Sequence, residues 1–342
     1  MAELTWKGKQ NSNDSAIQLT SDKCLRTIEY VHRASKSGEA ETKHLPVDWY
    51  NRLILGERRE VLAALLNEFA GRVDLVYIDP PFMTGRDFMN ASDAQLAFSD
   101  KWNNNLDSYL LWLYETFALL HHLLAETGSL YVHLDWRTVH YAKVMLDEVF
   151  GFSPDGRGSG FKSEIIWHYQ SGGRAQRWYA RKHDTILFYT KSAHYCFHPE
   201  RIGERRGVRK RNHMRKVEEA DGRITWTIRS AGRLYTYDED SLMTPADVWH
   251  DISHLHQKDP ERNGYATQKP EALLQRILLA SSEMDDLVLD CFCGSGVAPV
   301  VAEQLGRRWI AADMSSLAIQ LTRERLLARG QVRPFAMQLL EG

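Results

Sequence analysis

Apolar positions along the 342-residue chain follow two periods. Helical spacing predicts helices over Val61–Phe69 (ended by Gly71), Tyr109–Ala125 (broken by Gly128), Val139–Phe150, Glu271–Ala280, Val300–Leu305 and Leu317–Ala328. Short, nearly unbroken apolar runs read as buried strands over Asp74–Ile78, Ser129–Leu134, Ile165–Tyr169, Thr185–Tyr189, Leu287–Leu289 and Arg308–Ala312. Strands alternating with helices predict an α/β layered fold. Residues 1–50 are polar and weakly patterned, with Arg33–Lys43 as a loop or arm. Polar, aromatic, turn-rich sequence interrupts the α/β pattern around 190–260 and reads as an inserted module. The expected organisation is an arm (1–50), one half of a core (51–190), an insert (191–260) and a second half (261–342).

Composition narrows the class. Lys plus Arg is 43 and Asp plus Glu is 45, a net charge of −2. These values exclude disorder, collagen-like repeats and a disulfide scaffold. The total argues against a nucleic-acid partner, but the distribution does not. Arg201–Lys216 holds eight cations against the single acid Glu204. Arg174, Arg177, Arg181 and Lys182, interleaved with Trp178 and Tyr179, make a second basic-aromatic patch. Four cysteines without metal spacing (Cys24, Cys196, Cys291, Cys293) fit reduced, mostly buried thiols. The N-terminal residues carry no signal-peptide pattern, and no apolar run reaches the ~18 residues of a membrane helix. A cytoplasmic location is expected.

Three motifs carry chemistry. Asp79-Pro80-Pro81-Phe82 follows a strand, which puts Asp79 at the carboxyl edge of a sheet, where ligands bind. Two prolines supply no N–H donors, so a carboxylate and a carbonyl stand as acceptors beside an aromatic ring. That combination suits a planar group bearing NH2, with a proline-stiffened turn as the bland alternative. Asp290-Cys291-Phe292-Cys293-Gly294-Ser295-Gly296 is a glycine loop between strand and helix, allowing close backbone approach. It lacks the spacing of a dinucleotide fingerprint or a P-loop. Asp313 ends the next strand, where a ribose hydroxyl would be bound. The loop therefore suits a nucleoside without pyrophosphate. Thr267-Gln268-Lys269-Pro270-Glu271 opens a helix, with Lys269 placed to meet a ligand carboxylate and Glu271 suited to the helix dipole.

Together the motifs resemble the S-adenosylmethionine-dependent DNA amino-methyltransferases of the N4-cytosine/N6-adenine family. The matching stretches are LVYIDPPFMTGRDF, ATQKPEALLQRIL and LVLDCFCGSG, and the likeness covers about 50–330. The catalytic motif precedes the cofactor loop, the permuted order of the beta class, shared by type III modification subunits. The resemblance implies a Rossmann-like domain, with a mostly parallel sheet, helices on both faces and an inserted target-recognition region. It implies that Asp79, Pro80, Pro81 and Phe82 hold a flipped base. Asp290, Phe292, Gly294, Gly296 and Asp313 would bind S-adenosylmethionine, with Thr267 and Lys269 near its methionine end. Asp135 would lie at the same edge or cap a helix. Arg174, Arg177, Arg181, Arg205, Arg206, Arg209 and Arg211 would contact double-stranded DNA. The implied reaction is direct methyl transfer without a metal, to adenine N6 in preference to cytosine N4. Alternatives are methylation of a protein glutamine or RNA base, and a DNA-binding relative without catalysis. A homodimer and a restriction subunit are the implied partners. This chain has Met83 where members often have Asn, and Cys291 and Val297 where they often have Pro and Thr.

Overall fold

A computed structural model describes residues 4–7, 9, 21–32, 49–90, 95–103, 105–170, 175–205, 213–238, 241–330 and 332–341. The chain divides into two compact units, residues 1–196 with 247–342, and residues 197–246.

The elements of the larger unit begin with β1 (Cys24–Val31), β2 (Asn51–Leu55), α1 (Arg58–Phe69) and β3 (Val73–Ile78). A hairpin of β4 (Asp87–Met89) and β5 (Leu96–Ser99) follows, then α2 (Leu106–Leu123), β6 (Leu124–Leu134) and α3 (Val139–Phe150). Next come β7 (Gly160–His168) and β8 (His183–Thr190). The smaller unit holds β9 (Glu204–Arg205), β10 (Arg215–Glu218), β11 (Ile224–Ser230), β12 (Arg233–Asp238) and β13 (Leu242–Met243). The larger unit resumes with β14 (Val248–Trp249), α4 (Glu271–Ser281), β15 (Leu287–Asp290), α5 (Val297–Gln304), β16 (Arg308–Asp313), α6 (Ser316–Ala328) and β17 (Phe335–Glu341).

Ten of the described strands form one sheet in the order β1-β17-β2-β16-β15-β3-β6-β8-β7-β14. From β17 to β6 every pairing is parallel. Val76 and Ile78 of β3 join the apolar core with α1, α2 and α3. The alternate residues face the other way, where the Tyr131 hydroxyl of β6 meets Ser281 of α4 at 2.7 Å. Helices thus cover both faces, as an all-parallel stretch requires. In the smaller unit, β10, β11 and β12 form an antiparallel sheet and β9 pairs with β13.

Several sequence expectations change. The arm contains β1, an edge strand on β17, while Arg33–Lys43 lies outside the described residues. Gly128 does not break a helix: α2 ends at Leu123 and Gly128 lies inside β6. A Cβ there would stand 2.9 Å from the carbonyls of Ala125 and Val73, so glycine serves close packing. Residues 191–196 and 247–260, expected in the insert, belong to the larger unit. Cys291 and Cys293 are buried, but Cys24 is exposed.

Candidate active site

Acidic side chains line one edge of the large sheet. Glu57 follows β2, Asp313 ends β16, Asp290 ends β15, Asp79 follows β3 and Asp135 follows β6, in the order of those parallel strands. Asp184 lies near the start of β8, which runs antiparallel to β6 and so begins at the same edge. Two adjoining cavities open there. The first is lined by Glu57, Asp290, Phe292, Gly294, Asp313 and Tyr265. The second is lined by Pro80, Phe82, Asp135, Trp167, Tyr169 and Asp184. Asp79, Pro81, Thr267 and Lys269 line both, so the Asp-Pro-Pro-Phe segment stands at the junction.

The first cavity is shaped by backbone. Gly294 and Gly296 adopt φ of 48° and 77°, in the left-handed region that favours glycine. A Cβ on Gly294 would lie 3.0 Å from the Tyr265 ring, and one on Gly296 would lie 2.7 Å from Thr322 Oγ1. Asp313 accepts from the backbone N–H groups of Gly294 and Ser315, both at 2.9 Å. Burial nevertheless raises its carboxyl to about 6. Burial also pushes Asp290 well above the usual carboxylate range, opposed by the Phe292 N–H and reinforced by the charges of Asp79 and Asp313. Met314 is 73% exposed and offers an apolar surface at the rim. Carboxylates that resist ionisation alone fit a positively charged, hydroxyl-bearing nucleoside.

At the junction, Asp79 Oδ2 accepts from Lys269 Nζ at 2.5 Å. Asp79 Oδ1 is buried and has no hydrogen-bond partner among the described residues. A buried oxygen so placed is an acceptor awaiting a donor. Tyr109 donates to the Pro81 carbonyl at 2.8 Å and fixes the diproline from α2. Asp100, 1% exposed, accepts from Met83 N, Thr84 N, Thr84 Oγ1 and Trp102 Nε1. It holds the turn in which Met83 takes φ 60°. Asn tolerates that left-handed position better than Met.

Phe82 stacks on the buried His133 ring, with centroids 6.1 Å apart and planes at 23°. His133 lies between Tyr77 Oη (2.9 Å) and Asp184 Oδ2 (3.2 Å), and Tyr169 donates to Asp184 Oδ1 at 2.9 Å. Burial pushes the Asp184 carboxyl up, but the His133 and Tyr169 hydrogen bonds and the charge of Lys269 hold it below its ordinary value. Asp135 does not cap α3: Thr138 occupies that position, and Asp135 accepts from the N–H of Arg137.

The structure therefore brings together Asp79, Pro80, Pro81, Phe82, Thr267, Lys269, Asp290, Phe292, Gly294 and Asp313. Gly296 backs the loop from the N-terminus of α5. Glu271 stands in the first turn of α4, as expected, and also pairs with Arg325 and Arg329. Sequence reasoning missed Glu57, Arg58, Asp100, Tyr109, His133, Asp184 and Tyr265. The Gly56-Glu57 turn after the short strand NRLIL was the one local signal. Arg177 and Arg181 are exposed between β7 and β8, and Arg205 lies in β9. Arg174, Arg206, Arg209 and Arg211 lie outside the described residues.

A nucleoside cradle joined to an acceptor-lined pocket at the carboxyl edge of such a sheet defines a methyltransferase that acts on an amino group. The chain belongs to the N6/N4 DNA methylase family, whose model, described as DNA methylase, matches residues 73–324. It is 30% identical to the type II methyltransferase M.HpaI of Haemophilus parainfluenzae over 266 residues, which cover 78% of this chain and 71% of that one. It is also 30% identical to the DNA adenine methyltransferase YhdJ of Escherichia coli K12, over 78% of this chain and 80% of the relative. Among solved structures, a DNA modification methylase from Thermus thermophilus, complexed with S-adenosyl-L-methionine, aligns with a TM-score of 0.52 at 20% identity, covering 85% of this chain and 98% of that one. The cytosine-N4-specific PvuII DNA methyltransferase aligns with a TM-score of 0.52 at 17% identity, over 81% and 86% of the two chains. The protein is a DNA methyltransferase of this family, with S-adenosylmethionine as cofactor. The glycine cradle and the buried carboxylates fit that cofactor's ribose and positive charge.

Proposed function

We propose that the protein is a site-specific DNA methyltransferase acting on the N6 amino group of adenine. The observation that carries the reading is Asp79 Oδ1, a buried acceptor without a partner among the described residues, where the two cavities meet. Asp79 Oδ1 and the Pro80 carbonyl accept the two hydrogens of the target amino group. Held so, the nitrogen lone pair is aimed across the junction. Phe82, kept in plane by His133, stacks on the extruded base. Bound in the first cavity, S-adenosylmethionine supplies a methyl group on a positively charged sulfur. Asp290, Phe292, Gly294 and Gly296 shape that cavity, Asp313 takes the ribose hydroxyls, and Thr267 and Lys269 meet the methionine end. Arg174, Arg177, Arg181, Arg205, Arg206, Arg209 and Arg211 neutralise phosphates of double-stranded DNA. Site selection falls to the 197–246 unit, and cytoplasmic DNA is the substrate pool.

The aspartate in first position and the relative named as an adenine methyltransferase favour adenine. A second reading, cytosine N4, is favoured by the fold shared with the PvuII enzyme. Incubating unmethylated DNA with protein and S-adenosylmethionine, then digesting it and weighing the nucleosides, separates the two. N6-methyldeoxyadenosine is expected. N4-methyldeoxycytidine would replace the adenine reading, and no methylated nucleoside would refute both.

A further inference from the structure

The connection between β7 and β8 carries two large rings that the described residues leave mostly exposed. Trp178 is 65% exposed and Tyr179 is 98% exposed. Burying an aromatic ring is favourable, so leaving two in water is unrewarded in the protein alone. We propose that Trp178 and Tyr179 enter the DNA duplex and stack in the space vacated by the target base. This rests on the reading above, in which a base is extruded into the second cavity.

Placement carries the inference. Tyr169 and Asp184, at the two feet of the connection, both line the second cavity. The Tyr169 N–H donates to the Lys182 carbonyl at 2.9 Å and closes the feet together. The arm is also stapled to the end of β6, where Arg181 lies 3.6 Å over the Trp136 ring, beside the cavity residue Asp135. The rings therefore belong to a connection whose two feet line the cavity. Arg177 and Arg181 beside them form no ion pair with the described residues, so their charges are available to phosphates even while the Arg181 guanidinium rests on Trp136. Cations flanking exposed rings suit nucleic acid, where bases stack on aromatic side chains and cations meet the backbone. Extruding a base costs a few kcal/mol, and a ring inserted into the gap recovers part of that.

The test compares Tyr179→Ala, Tyr179→Phe and the double variant Trp178→Ala/Tyr179→Ala on two duplexes. Both carry the recognition sequence mapped from methylated genomic DNA. One has the target base paired; the other has it opposite an abasic site, so that extrusion is already inexpensive. On the paired duplex the alanine variants are expected to lose at least about tenfold in kcat/KM, while Tyr179→Phe keeps near-full activity. On the abasic duplex they should recover to within about threefold of wild type. Equal loss on both duplexes would mark a general DNA contact and overturn the inference, as would no loss on either. Wild-type protein that methylates no DNA would refute the underlying reading instead, leaving the two failures distinguishable.

Discussion

Asp313 shows how burial at a single residue sets a condition on binding. Its carboxyl is raised to about 6, chiefly by burial. If Asp313 takes the ribose hydroxyls as proposed, only its ionised form offers both oxygens as acceptors, so affinity for S-adenosylhomocysteine should be flat above pH ~7 and fall by up to about tenfold per unit below 6. Calorimetric titration across pH 5–8 checks this, and Asp313→Asn should bind weakly with no pH dependence in that window. The sign for stability is opposite. A folded-state pKa above the ordinary value makes ionisation oppose folding, so this group's contribution declines as pH rises from 3.8 towards about 6. At this scale the sequence revealed Asp79, Asp290 and Asp313, because each stands beside its own strand in a contiguous motif. His133, Asp184 and Asp100 were illegible there. Their roles arise only when separate strands and a hairpin loop bring them together: His133 is 56 positions from its partner Tyr77.

Asp100 links two elements, the β5 end and the turn after the diproline. Asp100→Ala leaves several donors unsatisfied and should cost roughly 2–3 kcal/mol in urea unfolding, with a further loss of kcat as Phe82 loosens. At the head of α5, Gly296→Ala meets both a positive φ and Thr322, and should remove cofactor affinity while destabilising by more than about 1 kcal/mol. Retained S-adenosylhomocysteine binding in that variant would contradict the cradle. Long amphipathic helices were legible, α3 to the residue, because their periodicity is independent of context. The strands β1, β2 and β17 were not: each becomes a strand by pairing with distant chain, as when β17 bridges β1 and β2. Gly128 misled because its requirement is a close approach by Val73, which local sequence does not display.

Across the molecule, a net charge of −2 conceals segregation. Carboxylates gather along the sheet edge, where the positively charged cofactor is proposed to bind, and cations gather in Arg201–Lys216 and around Arg181. Neutralising Arg205, Arg206, Arg209 and Arg211 together should weaken DNA binding and reduce the salt slope by up to about 4, or roughly 0.9 per lost phosphate contact. An unchanged affinity across a salt titration would remove the basic run from the DNA surface. On the proposed reading, methyl donor and amino acceptor lie on either side of one residue, Asp79, which lines both cavities. Single-turnover transfer of labelled methyl from S-adenosylmethionine to DNA by Asp79→Ala, beside wild type, tests that placement most directly. Transfer should fall by at least about 10²-fold, with S-adenosylhomocysteine bound within about threefold of wild type and the fold intact. Transfer at the wild-type rate would contradict it.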